Sequence, residues 1–260
     1  MKTLSVSKYI LPLREGGSLP AVVEAEDRQQ YVMKFIGAGQ GSKALIAELI
    51  AGELARHLGF RVPELVLLDF DPVIARSEPD PEIQDLLKAS PGINLGMQFL
   101  SQASAFSLCL DDPRPTVEFA SRLVWFDAFV TNVDRTPRNV NMLVHRGDVW
   151  LIDHGAALNF HHNWQDHIKQ SETPFSFIRE HVLLPFAAAI DEVAVQLPEK
   201  LSSDLFADLV ALIPEQWLVA AGGFPDHETH RKGYLEYLEH RLASAPIFVE
   251  EAENARKRLV

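Results

Sequence analysis

Over the first hundred positions the apolar residues fall in short runs bounded by polar turns. After that they recur mostly at helical spacing, interrupted by one hairpin. Residues 19–25 and 31–36 are β-rich runs separated by Glu26-Asp27-Arg28-Gln29, which predicts a hairpin. On its second strand Tyr31, Met33 and Phe35 share one face, while Val32, Lys34 and Ile36 share the other. Residues 44–58 predict a helix: Leu45, Leu49, Leu54 and Leu58 recur at near-helical spacing, Gly59 stops it, and Glu48 and Glu53 are its acids. Further strands are expected at 64–70, 73–76 and 93–100, with a short helix at 82–88.

The strongest helix is 116–129. Thr116 can cap it, and Ala120, Leu123, Val124 and Ala128 line one side. Phe119, Trp125, Phe126 and Phe129 fill the remainder, so burial on most faces is expected. A polar loop follows, and then a second hairpin, 140–145 with 149–152, turning at Arg146-Gly147-Asp148. Helices are expected at 186–196, 203–212 and 227–242, with the charged tail after Glu250 as the one candidate for disorder. The sum is an α+β chain with a sheet-rich lobe over residues 1–100 and a mainly helical lobe over 101–260.

Composition narrows the class. A chain of 260 residues, 47% hydrophobic and 23% charged, suits two packed lobes. The longest apolar runs are too short for a membrane span, and the first eight residues lack the apolar stretch of a signal peptide. Cys109 stands alone, which excludes an internal disulfide and suits a reducing cytoplasm. A net charge of −12 disfavours nonspecific binding to nucleic acid or anionic membrane. An acidic chain that binds a nucleotide must gather its cations locally.

The candidate chemistry lies in two segments, Asn132-Val133-Asp134-Arg135-Thr136-Pro137-Arg138-Asn139 and Leu151-Ile152-Asp153-His154-Gly155. Kinase-type phosphoryl transfer needs a base near the acceptor hydroxyl and two oxygen ligands for magnesium. An Asp, an Asn five residues on and an Asp after the next hairpin can supply them. Each alone is also ordinary turn chemistry. Lys34 alone is equally a strand lysine whose stem lies on apolar surface, but a lysine strand followed by a helix carrying Glu48 matches the kinase arrangement. Two glycine clusters compete for a phosphate role. Residues 37–43 nearly spell a Walker loop but separate Gly41 from Lys43 and end in Ala44. Gly16-Gly17-Ser18 precedes the lysine strand, as a kinase phosphate turn does. The histidines His154, His161, His162 and His167 lack helical metal-ligand spacing and a nearby cysteine, which argues against zinc.

Over residues 14–163, and most sharply in the two segments above, the chain resembles the HipA-like kinases, relatives of the phosphoinositide 3- and 4-kinases. The stretch 51–63, a helix followed by Leu-Gly-Phe-Arg-Val-Pro, adds to the likeness. The resemblance implies a bilobal protein-kinase-like fold and an ATP- and Mg2+-dependent kinase acting on a hydroxyl, with a protein Ser/Thr as first expectation. A pseudokinase without turnover and a small-molecule kinase are the alternatives. It implies Lys34 as phosphate-binding lysine, Glu48 as its partner and Asp134 as base. Asn139 and Asp153 become magnesium ligands, and Gln98, Phe99 and Leu100 the linker whose backbone meets adenine. The chain departs in having Thr136 where related kinases often have histidine, and Asn141 is a second candidate for the amide ligand. It is also shorter than full HipA toxins, so toxin behaviour is not implied.

Overall fold

The computed structural model describes residues 1–14, 19–76, 78–108, 113–220 and 223–259. Gly16, Gly17, Ser18 and Cys109 lie outside them. Strands β1 (Thr3–Pro12), β2 (Ala21–Ala25), β3 (Gln30–Lys34), β4 (Leu65–Phe70) and β5 (Gly92–Gln98) close into a barrel in the order β1-β2-β3-β5-β4. The β1–β4 pairing that closes it is parallel, and the others are antiparallel. The period-2 pattern on β3 explains the filling. Tyr31, Met33 and Phe35 enter a core with Val6, Val23, Val66, Leu68 and Phe70, and so Lys34 points to the other face.

Helix α1 (Ser42–His57) crosses from β3 toward β4, and the short α2 (Pro81–Lys88) precedes β5. Helix α1 buries Leu45, Ile46, Leu49, Ile50 and Leu54, and belongs to a second, larger apolar core with α3 (Val117–Phe129) and the later helices. A Cβ on Gly52 would lie 2.8 Å from Leu65 Cδ1, so a glycine lets α1 approach β4 closely. Thr116 caps α3 by accepting from the Phe119 N–H at 3.1 Å, and α3 is buried on nearly every side. After the polar loop, β7 (Met142–His145) and β8 (Asp148–Leu151) form a small sheet with β6 (Ser104–Ala105), which precedes α3. The chain continues through α4 (His167–Ser171), α5 (Ile190–Gln196), α6 (Ser203–Ala211), α7 (Glu215–Ala220), α8 (His227–Ala243) and α9 (Ala245–Lys257).

The short elements β6, α4 and α7 were not expected, and four larger differences stand out. Strand β1 was not expected. The run at 73–76 is a 3-10 turn, Pro72–Ala75, because Asp71 caps it and Pro72 opens it. The helix expected from residue 186 begins at Ile190, after a separate 3-10 turn at Leu184–Phe186. The charged tail is helical through Lys257. Among the described residues no helix is long and apolar enough to cross a membrane.

Candidate active site

Lys34 joins the ends of the site. Its Nζ donates to Glu48 Oε2 at 2.5 Å and to Asp153 Oδ1 at 2.5 Å, uniting three residues from β3, α1 and the exit of β8. Glu48 is fully buried, while the Asp153 side chain is 45% exposed. Burial alone would lower the lysine pKa, but Glu48 and Asp153 outweigh it, and the ammonium is held well above the usual range. Burial likewise opposes ionisation of Glu48, and the nearby Lys34 overrides it and holds the carboxyl well below the usual range. His154, also buried, sets its Nδ1 3.4 Å from Glu48 Oε1, and its ring meets Phe126 edge-on. An ammonium has three N–H donors. Two go to these carboxylates, which leaves one for an incoming oxygen.

The loop after α3 carries the second half. Thr136 and Asn139 exchange backbone hydrogen bonds at 3.0 and 3.1 Å around Pro137-Arg138, a tight turn of the kind proline favours. That turn folds Asn139 back so that its Nδ2 donates to Asp134 Oδ2 at 2.6 Å. Asn141 Nδ2 donates to the Asp153 carbonyl at 3.3 Å. Burial and the nearby charge of Asp153 raise the Asp134 pKa, against hydrogen bonds from Asn139 and Asn141 that lower it. A carboxylate shifted upward is a better proton acceptor near neutral pH. Asp153 and Asn141 both hold left-handed backbone conformations, φ 55° and 50°, which Asp and Asn tolerate better than other non-glycine residues.

One buried carboxylate anchors the loop. Asp127 on α3 accepts from Arg135 Nε at 2.6 Å, from Asn132 Nδ2 at 3.0 Å and from His181 Nε2 at 2.9 Å. The Leu183 N–H donates to His181 Nδ1 at 3.0 Å, so the ring proton sits on Nε2 and points at Asp127. Arg135 also donates to the Asn141 carbonyl at 2.5 Å, and its own carbonyl accepts from Val182 N–H at 3.1 Å. Burial raises the Asp127 pKa, but Arg135 and His181 hold it well below the usual range.

The predicted positions therefore fall into groups. Lys34, Glu48 and Asp153 meet directly, and Asp134, Asn139 and Asn141 adjoin them. In the linker, the Gln98 N–H already serves Glu64 and the Phe99 N–H serves Gln30, at 2.8 and 2.9 Å. The Leu100 N–H is the linker donor left without a partner among the described residues. In the glycine loop at 37–43 the Gly37 N–H is bonded to Ser90 Oγ at 3.1 Å. Asp127, Arg135, His154 and His181 were not assigned site roles from the sequence. Arg135 and His154 lay inside the two quoted segments, and Asp127 carried its own signal, an acid in the apolar second half of α3.

Comparison with known proteins bears on the family and the fold. A family model described as HipA-like kinase matches residues 6–244. Crystal structures of similar shape include a Helicobacter pylori proinflammatory kinase, CtkA, with TM-score 0.56 and 11% identity over 95% of this chain and 94% of that one. The Golgi casein kinase gives a TM-score of 0.51 at 13% identity, covering 97% of this chain and 73% of its own. Its complex with Mn/ADP gives 0.53 at 13%, covering 97% and 74%. No curated protein sequence matches the chain. The structural likenesses, at such low identity, speak for the fold, while the family match spans most of the chain: it belongs to the HipA-like kinase family and is a phosphotransferase.

Proposed function

We propose that this chain is an ATP- and magnesium-dependent kinase that passes a γ-phosphate to a hydroxyl, with a protein Ser or Thr as acceptor. The observation that carries the reading is Lys34, which bridges Glu48, 14 positions on, and Asp153, 119 positions on. Such a bridge serves no packing purpose that an apolar residue would not serve better. In this reading Lys34 uses its remaining N–H on a phosphate oxygen, and Glu48 keeps it aimed. Asp134, raised in pKa, accepts the hydroxyl proton and orients the attacking oxygen. Gly16, Gly17 and Ser18 lie between β1 and β2, where a kinase carries its phosphate turn. Leu100 offers the linker N–H to adenine.

The residues present fit magnesium. Asp153, Asp134 and the amide oxygens of Asn139 and Asn141 are all hard oxygen donors, and Asn139 and Asn141 spend their N–H groups on protein, leaving oxygen available. Magnesium is usually held by one or two carboxylates plus phosphate oxygens, not by an all-protein cage. When bound it would neutralise charge on the transferring group. Asn139 remains the first choice of amide ligand beside Asp153. The same reading divides the chain into a nucleotide-binding lobe, 1–100, and a helical lobe, 101–260, in a cytoplasmic setting. A protein acceptor is supported by the name of one structural neighbour, a casein kinase.

The test is transfer from γ-labelled ATP to the chain itself and to a panel of protein and small-molecule acceptors. Magnesium-dependent transfer is expected, with at least a hundredfold loss in Asp134→Asn and in Asp153→Ala. Transfer that survives Asp153→Ala would remove the metal assignment. ATP-dependent thermal stabilisation with no transfer to any acceptor would replace the enzyme with a nucleotide-binding module.

A further inference from the structure

A cavity of about 500 Å3 lies at the linker, lined among others by Arg61, Gln98, Phe99, Arg146, Asp148 and Trp150. It is not the catalytic cleft. Neither Lys34 nor Asp153 lines it. Gln98 pairs with Tyr31 and shares its sheet face, while Phe99, the next residue, takes the alternate side.

Its chemistry is that of an anion site. Arg61 already holds one carboxylate: its Nη2 lies 3.1 Å from Asp148 Oδ2, and its guanidinium carbon lies 6.0 Å from the Trp150 ring centre. The Arg146 guanidinium has no partner among the described residues. Trp150 Nε1 and His145 Nδ1, both on lining residues, also lack hydrogen-bond partners among the described residues. Two guanidinium groups face one acid, so the Arg and Asp residues of the lining sum to a local charge of about +1, on a chain whose net charge is −12. One added carboxylate balances it. A phosphate monoester, at about −1.5 to −2, overshoots and meets Asp148. Phe99, 37% exposed, and the Trp150 ring supply apolar wall beside the charge.

We propose that this crevice docks an acidic peptide segment, with one Asp or Glu carboxylate on the fork of Arg146 and a neighbouring apolar side chain against Phe99 and Trp150. Arginine takes a carboxylate with two parallel N–H bonds, which fixes the orientation of the segment. The crevice shares Gln98, Phe99 and Leu100 with the linker of the kinase reading and no residue with Lys34, Glu48 or Asp153, and the probe is titrated without nucleotide so that the two readings fail separately.

The test follows the Trp150 indole N–H by NMR while the full chain is titrated with N-acetyl-Glu-Phe-amide. Trp150→Phe assigns the signal. Arg146→Asn is the informative variant, because Arg146 has φ 54° in the turn with Gly147 and asparagine accepts that conformation. A saturable shift is expected in the native chain. It should weaken at least fivefold in Arg146→Asn, and by as much when N-acetyl-Gln-Phe-amide replaces the acid. Absence of a saturable shift, or equal affinity in Arg146→Asn, overturns the site. Tighter binding of the phosphoserine-Phe analogue than of the Glu probe overturns the choice of carboxylate.

Discussion

Arg135 is buried to 1% exposure beside the proposed base, and it secures the loop at both ends. Through Asp127 it meets Asn132, and through the Asn141 carbonyl it meets the start of β7. Asp134 and Asn139 hang between these two points. Asp127→Asn keeps the shape but leaves a guanidinium buried without a counter-charge. Breaking one partner of a buried pair costs roughly 3–5 kcal/mol, and at roughly 2–4 °C per kcal/mol for a chain near this size the unfolding midpoint should fall by about 10 °C. A fall equivalent to less than about 1 kcal/mol would show that the pair does not sustain the loop. The candidate site was legible where the proposed chemistry demands fixed spacing, as in Asp134 and Asn139. The anchor was not: Asp127 and His181 lie 54 positions apart, and no periodicity pairs them.

Among the elements, α1 and α3 were readable because long apolar patterns with caps and stops have few alternatives. Strand β1 was not, since half of its side chains are exposed and only Val6 is buried in the barrel core, so the alternation is weak. Helix α9 hid behind its charges. Phe248, Ala252 and Ala255 form a narrow buried stripe at helical spacing, while Lys257 and Glu253 pair on the surface at 3.7 Å. The close fit of α1 against β4 yields a prediction about position. Gly→Ala inside a helix ordinarily stabilises by about 1 kcal/mol. At Gly52 the added Cβ meets Leu65 at 2.8 Å, with His154 Nδ1 at 3.9 Å. Overpacking costs of about 1–3 kcal/mol should cancel or exceed the gain, and a displaced α1 carries Glu48 away from Lys34. Gly52→Ala is therefore expected to be no more stable than the native chain and to lose phosphoryl transfer more than nucleotide affinity. A gain of about 1 kcal/mol with full activity would mean that α1 has room to spare.

At the scale of the whole molecule, buried histidines set the response to acid. His161, His181 and His230 are all buried, and burial is the largest cause lowering each pKa, with His230 reaching about 4. Each therefore binds its proton more readily unfolded than folded, and stability rises with pH across the window between the two values. The loss begins as pH falls below roughly 6.5, the ordinary histidine value, and for His230 it runs to about 4. Glu48 and Asp127, held low in the fold, add their own loss only below roughly 4, where unfolded carboxylates take up protons. Lys34, held high, acts at the opposite end: its contribution is complete below roughly 10 and fades as pH rises through its folded value. The urea midpoint should therefore be nearly level from pH 7.5 to 9 and fall steadily from 6.5 to 5, before the carboxylates titrate. His230→Phe tests the origin of that slope. The ring stacks on Phe224 at 4.2 Å and 11°, a geometry phenylalanine can keep, at the loss of one hydrogen bond to the Leu218 carbonyl. The variant should start lower at pH 7.5 and decline less between 6.5 and 5. An unchanged slope would assign the acid response to His161 and His181. A midpoint that stays level from 7.5 to 5 in the native chain would show that these histidines bind protons equally well folded and unfolded.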